Sequence, residues 1–142
     1  MKLYVDFNIK NFVNKIDKNG VSTEKKILKA LDKAGDIIVN DAVPNAPFKT
    51  GWMRSRIKHS VPKIENNVAK MEAWVGTDYA KWVEFGTGDR GASTSKAPKI
   101  IQDELTYTMG YTGMIARPFF FPAVDLGVKN LEKEIDDILK EL

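Results

Sequence analysis

Pro47 and Gly51 divide this chain between two regimes of apolar spacing. On their N-terminal side apolar residues recur at helical steps, and on their C-terminal side at strand or turn steps. Pro47 disfavours the right-handed helical region for Ala46, so the long helix before it must end by about Val43 or Asn45. Gly51 permits a tight reversal and Thr50 can cap the turn that follows. The corner delivers Trp52, Arg54 and Arg56 to the start of the next element. It speaks to architecture and carries little chemistry.

The rest of the chain follows from the same spacing rules. Leu3, Val5 and Phe7 alternate with polar neighbours and predict a half-buried strand, and Asn8 can cap a brief helix to about Asp17. Ser22 or Thr23 is the expected cap of the long helix. Ile27, Leu31, Ala34, Ile38 and Ala42 form its apolar stripe, widened by Leu28 and Ile37. Met53 to Ser60 reads as the start of a strand, turned or bulged at Val61-Pro62. Asn66-Asn67 marks a hairpin leading into a second strand, Val68 to Val75. In that strand Ala69, Met71, Ala73 and Val75 share the face expected to meet the helices, while Trp74 stands among charges on the other. Asp78 can cap one or two turns carrying Tyr79, Trp82 and Val83, which Gly86 ends.

Gly, Ser, Thr and charge without apolar period predict an exposed, mobile loop over about 86–97. A short helix at 97–105 and a ribbon around Gly110 follow. Pro118 and Pro122 hold 117–123 extended, so the rings of Phe119, Phe120 and Phe121 cannot all share one direction. The last helix carries Val124, Val128, Leu131, Ile135, Ile138 and Leu142, with an acidic polar face. The expected fold is α+β: a single domain over residues 1–142, with an antiparallel sheet against two longer helices and a long irregular loop region.

Composition narrows the chemistry. The 142 residues include no cysteine, which excludes disulfides, thiol catalysis and thiolate metal sites. Met1 to Asp6 begins no long apolar run, so neither a signal peptide nor a membrane span is expected. His59 is the sole histidine. Ser55 and Ser60 lie near it, yet no third group is spaced to orient a base, so neither a zinc site nor a hydrolase is indicated. Gly86-Thr87-Gly88-Asp89-Arg90-Gly91 lacks the Gly-Lys-Ser/Thr ending of a phosphate loop. No catalytic, metal or cofactor residues are therefore assigned. Lys49, Arg54, Arg56, Lys58, Lys63 and Lys70 form a basic region interleaved with Trp52, Trp74 and Tyr79. With a net charge of only +3, this suits an acidic patch on a protein partner or a second copy better than nucleic acid. Nucleic-acid binding through 49–70 is the alternative.

Three pieces of sequence resemble a known family when taken together. They are Ala46-Pro47-x-x-Thr50-Gly51-x-x-Arg54-x-x-Ile57, then Tyr79-Ala80-x-x-Val83-Glu84-Phe85-Gly86-Thr87, then Pro118-Phe119-x-x-Pro122-Ala123 before a last helix. In this order the chain looks like the head-tail joining and tail-completion proteins of long-tailed phages, of the lambda tail protein Z type. The resemblance implies a structural virion protein without catalysis. It implies a monomer or weak oligomer in the host cytoplasm that becomes a ring, typically hexameric, at the head-proximal end of the tail, meeting tail tube, tail-terminator and head-neck connector proteins. Membrane contact and direct DNA binding are not implied. Family positions carry over onto Pro47, Thr50, Gly51, Arg54, Tyr79, Val83, Glu84, Phe85, Gly86, Thr87, Pro118, Phe119, Pro122 and Ala123. Trp52 stands where a leucine-like residue is usual, and 92–116 is longer than a minimal member needs. Trp82 and Arg90 join these residues as expected interface positions, and the 86–97 loop is expected to order on docking. Glu84 at its root should hold a charge-assisted hydrogen bond from Arg54 or Arg90.

Overall fold

The computed structural model describes residues 2–8, 21–95 and 107–141, the first of these as backbone. In chain order the elements are β1 (Lys2–Asn8), α1 (Val21–Asn45), α2 (Trp52–Ser55), β2 (Ile57–His59), β3 (Lys63–Glu65), β4 (Val68–Val75), α3 (Ala80–Phe85), α4 (Gly88–Thr94) and α5 (Phe121–Lys140). The fold is α+β, as the apolar periods indicate. The expected helices at 8–17 and 97–105 lie outside the described residues.

β4 is the central strand. β1 pairs antiparallel with its whole length, Lys2 opposite Trp74 and Asn8 opposite Val68, and β2 and β3 share the other edge. His59 pairs with Ala73 and Lys63 with Lys70, so Ser60, Val61 and Pro62 stand opposite only Met71 and Glu72. This is a bulge, at the expected Val61-Pro62 position. The Ser60 amide donates to the Glu72 carbonyl at 2.8 Å while the Ser60 hydroxyl accepts the Glu72 amide at 2.9 Å, so the bulge leaves neither group unpaired. Asn66 and Asn67, at φ 51° and 61°, make the mirror-image turn that matches the twist of a two-residue hairpin.

The period-two face of β4 is the floor of the core: Ala69, Met71, Ala73 and Val75 are all buried. α1 lies on it through Ile27, Leu31, Ala34, Ile38 and Ala42, and α5 packs along α1 through Ala123, Val124, Leu131 and Ile135. Two glycines set the spacing of these layers. A Cβ on Gly35 would sit 2.4 Å from His59 Nδ1, and one on Gly127 would sit 2.6 Å from Ile38 Cγ1. α1 can therefore approach the sheet and α5 can approach α1 only because these positions lack side chains. Across the outer groove between the helices, Lys33 pairs with Glu134, and Lys26 with Glu141 at 2.7 Å.

Several boundaries differ from the sequence expectations. α1 begins at Val21, so Ser22 and Thr23 fall inside its first turn and do not cap it. Residues 52–55 form a helical turn ahead of β2; the left-handed Gly51, φ 78°, sends the chain into a turn before it can extend. Tyr79 precedes α3 where Asp78 was expected to. Of the expected loop 86–97, residues 88–94 are the helix α4 with Gly88 and Gly91 buried, and 96–97 lie outside the described residues. Gly110 sits at φ 93° in a turn, but 107–113 forms no ribbon with it. Phe119 and Phe120 enter the core together, and Phe121 packs on Phe85 and Phe120 with ring centroids 5.5 Å and 5.8 Å away.

Candidate interaction surface

The two charged residues of the sequence pattern, Arg54 and Glu84, are turned inward onto helix ends. An α-helix leaves its last carbonyls and first amides without partners, and its dipole favours a cation at the C-terminus and an anion at the N-terminus. Arg54 meets the first need. Its Nε donates to the Ala46 carbonyl at 2.9 Å and its Nη2 to the Pro44 carbonyl at 3.2 Å, closing the end of α1. Glu84 meets the second. Its carboxylate, 1% exposed, accepts the amides of Phe119 and Phe120 on Oε2 at 2.8 and 2.9 Å and that of Phe121 on Oε1 at 3.0 Å. The expected partner of Glu84 was an arginine. The N-terminus of α5 takes that place, because three amides held rigidly by the start of a helix satisfy a buried carboxylate without bringing in a second desolvated charge.

Around Glu84 the second and third pieces of the pattern are joined by backbone. The Arg117 amide donates to the Val83 carbonyl at 2.8 Å, and Thr87 and Met114 exchange amide-carbonyl bonds of 2.9 and 3.0 Å. Gly86, at φ 74°, allows this approach, since a Cβ there would lie 2.4 Å from the Met114 carbonyl oxygen. α4 is clasped by the same strap: the Asp89 and Arg90 amides donate to Tyr111 and Thr112, the Thr94 hydroxyl accepts the Ala116 amide at 2.8 Å, and the Tyr107 hydroxyl donates to Phe85 at 2.9 Å. Arg90 is exposed, with its carbonyl taken by the Ser93 and Thr94 hydroxyls. Pro118 and Pro122 are exposed, Pro122 in the first turn of α5 where its missing amide costs nothing.

What these contacts present outward is aromatic. Pro47, Lys49, Thr50, Gly51, Trp52, Met53, Tyr79 and Val83 line a groove of about 330 Å³, which brings the first pattern piece against the second. Trp52 at 51% exposed and Tyr79 at 41% stand on it, with Phe48 at 67% on the adjacent turn and Trp82 at 51% on α3. Three of the rings carry a cation: the Arg56 guanidinium lies 4.0 Å from the Trp52 ring centre, that of Arg54 5.0 Å from Phe48, and the Lys81 ammonium 5.7 Å from Trp82. Trp74, the exposed aromatic expected on β4, is only half exposed between Lys2 and Lys58 in the sheet register.

The basic region is thus not one patch. Arg54 and Arg56 lie over the Phe48 and Trp52 rings beside the groove, whereas Lys63 and Lys70 face each other at the far end of the hairpin. There Lys63 holds the Glu65 carboxyl below its ordinary range through a 2.9 Å hydrogen bond and its charge.

His59 is packed over Gly35 and held at Nε2 by Asp36 at 2.9 Å and at Nδ1 by the Ser60 carbonyl at 2.8 Å. Both ring nitrogens thus contact oxygen atoms that fix the ring, and neither contact is to a serine hydroxyl. Among the described residues no group of three or more His, Cys, Asp or Glu is placed to hold a metal ion, and no helix is long and apolar enough to cross a membrane.

A family model described as "Bacteriophage HK97-gp10, putative tail-component" matches residues 9–86, more than half of the chain. The match takes in the Pro47 corner and ends at Gly86, the residue that opens the approach to the strap. No curated protein and no solved structure matches the chain.

Proposed function

We propose, from the premise that this chain belongs to the HK97-gp10-like family of bacteriophage tail components, that it completes the head-proximal end of the tail and joins copies of itself there in a ring. Its partners on this reading are the tail tube, a tail-terminator protein and the head-neck connector, reached after a period as free subunits in the host cytoplasm. The observation that carries the reading is the exposed Phe48, Trp52, Tyr79 and Trp82 face on a scaffold whose two pattern charges are spent on helix ends. Clustered aromatic rings with arginine beside them are the composition of a protein contact, here one with a tail or neck partner, while a ring is built from further, unlike faces of successive copies. The acidic flank of α5 is a weaker candidate for the complementary face than its sequence suggests, because Glu134 and Glu141 already pair with α1.

Phage carrying a deletion of this chain should yield filled heads and separate tails by electron microscopy, with joined particles restored by the wild-type chain supplied in trans. Purified tails should contain it in fixed stoichiometry. Complete infectious particles from the deletion would end this proposal.

A further inference from the structure

We propose that the groove between the 47–53 corner and α3 receives an acidic segment of a different protein, seated by one bulky apolar side chain among Trp52, Met53, Tyr79 and Val83. The inference names a partner chemistry for the surface on which the proposed role depends, and its test is independent of the virion.

Charge complementarity is the argument. Residues 46–58 carry Lys49, Arg54, Arg56 and Lys58 and no acid, so this corner alone holds more positive charge than the net +3 of the whole chain. Lys49 lines the groove, and the Arg56 guanidinium carbon lies over the Trp52 ring, 4.0 Å from its centre. A guanidinium fixed over an aromatic face presents its edge donors to solvent in a geometry that a carboxylate fills with two hydrogen bonds. The cavity volume of about 330 Å³ lies at the small end of binding pockets, which span roughly 300 to 1,000 Å³. It suits a single large side chain flanked by chain that runs over the rim.

A second copy does not supply this ligand well. On α5 Lys129, Lys133 and Lys140 are interspersed with the acids, while Glu134 and Asp137 line the α1–α5 groove together with Lys26, Lys29 and Lys33. The acids of α5 nearest to α1 are therefore already paired with lysines of the same chain, and a segment with an unpaired acidic run fits the corner better.

The test uses the full chain and a fluorescent peptide of about twelve residues, aspartate and glycine around one central leucine. Anisotropy should give a Kd below about 1 mM at 50 mM salt, weakening by about fivefold or more at 300 mM as the charges are screened. Trp52→Ser and Arg56→Glu should each weaken binding by about tenfold, and Arg56→Gln by less, whereas Lys63→Glu should leave it unchanged. These side chains are exposed, and unchanged circular-dichroism melts would confirm that the variants fold. Equal binding of a lysine-substituted peptide, or none below 1 mM, would overturn the proposal. So would tighter binding of oligothymidine that is lost in Trp52→Ser, which would make the face a base-stacking surface. Self-association abolished by Arg56→Glu would overturn it in favour of a second copy.

Discussion

Arg54 and Glu84 show how a charged residue in a sequence pattern can serve the fold alone. Arg54 reaches back 8 and 10 residues to the end of α1 and Glu84 reaches 35 residues on to the start of α5, and each satisfies groups that would otherwise be unpaired. Glu84→Gln keeps size and shape but turns an NH2 group toward at least one amide donor, so urea unfolding should show a loss of about 2 to 4 kcal/mol. Arg54→Ala uncovers the end of α1 at a partly exposed site and should cost less, about 1 to 2 kcal/mol. Arg54→Lys should recover little of that, because an ammonium cannot address two carbonyls from one plane. The positive φ of Gly51 was readable from its place after Pro47, and Gly51→Ala should cost on the order of 1 kcal/mol through backbone strain. The partner of Glu84 was not readable, since no local signal announces that amides 35 residues away will converge on a carboxylate.

Among the elements, those whose stability is local were legible and those stabilised from afar were not. β4 and its hairpin follow from strict alternation and two asparagines, and α1 and α5 from stripes of three and four. α4 has glycine, serine and threonine in place of helix formers. Its helicity comes from the 107–116 strap, and no propensity reading of 86–97 contains that information. The consequence reverses the sequence-based expectation of a mobile loop that contributes little to the stability of the free chain. Replacing 88–94 with a flexible glycine linker removes the Thr94 and Asp89 contacts of the strap. The thermal midpoint should fall by about 4 °C or more, as expected for a loss of 1 kcal/mol or more. An unchanged midpoint would return the segment to the expected mobile loop. Gly127, a helix-interior glycine with no breaking role, should be intolerant of alanine, with about 1 to 3 kcal/mol lost to overpacking against Ile38. Calorimetry of Gly127→Ala would measure it.

Over the whole molecule, the layering of two helices on one face of an antiparallel sheet was legible. The convergence of all three pattern pieces was not. The corner meets α3 across the groove, α3 meets the strap through Gly86 and Thr87, and Glu84 meets the start of α5. Only three-dimensional closure puts them together.

That last contact sets an order of events during synthesis. Glu84 leaves the ribosome before the amides of Phe119, Phe120 and Phe121 do, so a nascent chain must hold this carboxylate in water until α5 arrives. The region matched by the family, 9–86, closes just short of what its own buried anion requires. A chain truncated after Gly86 should therefore be digested rapidly under conditions in which the full chain resists protease, and adding a 107–142 peptide in trans should restore part of that resistance. The first two-thirds of this protein is a template that waits, and its last helix arrives as the counter-ion as much as the roof.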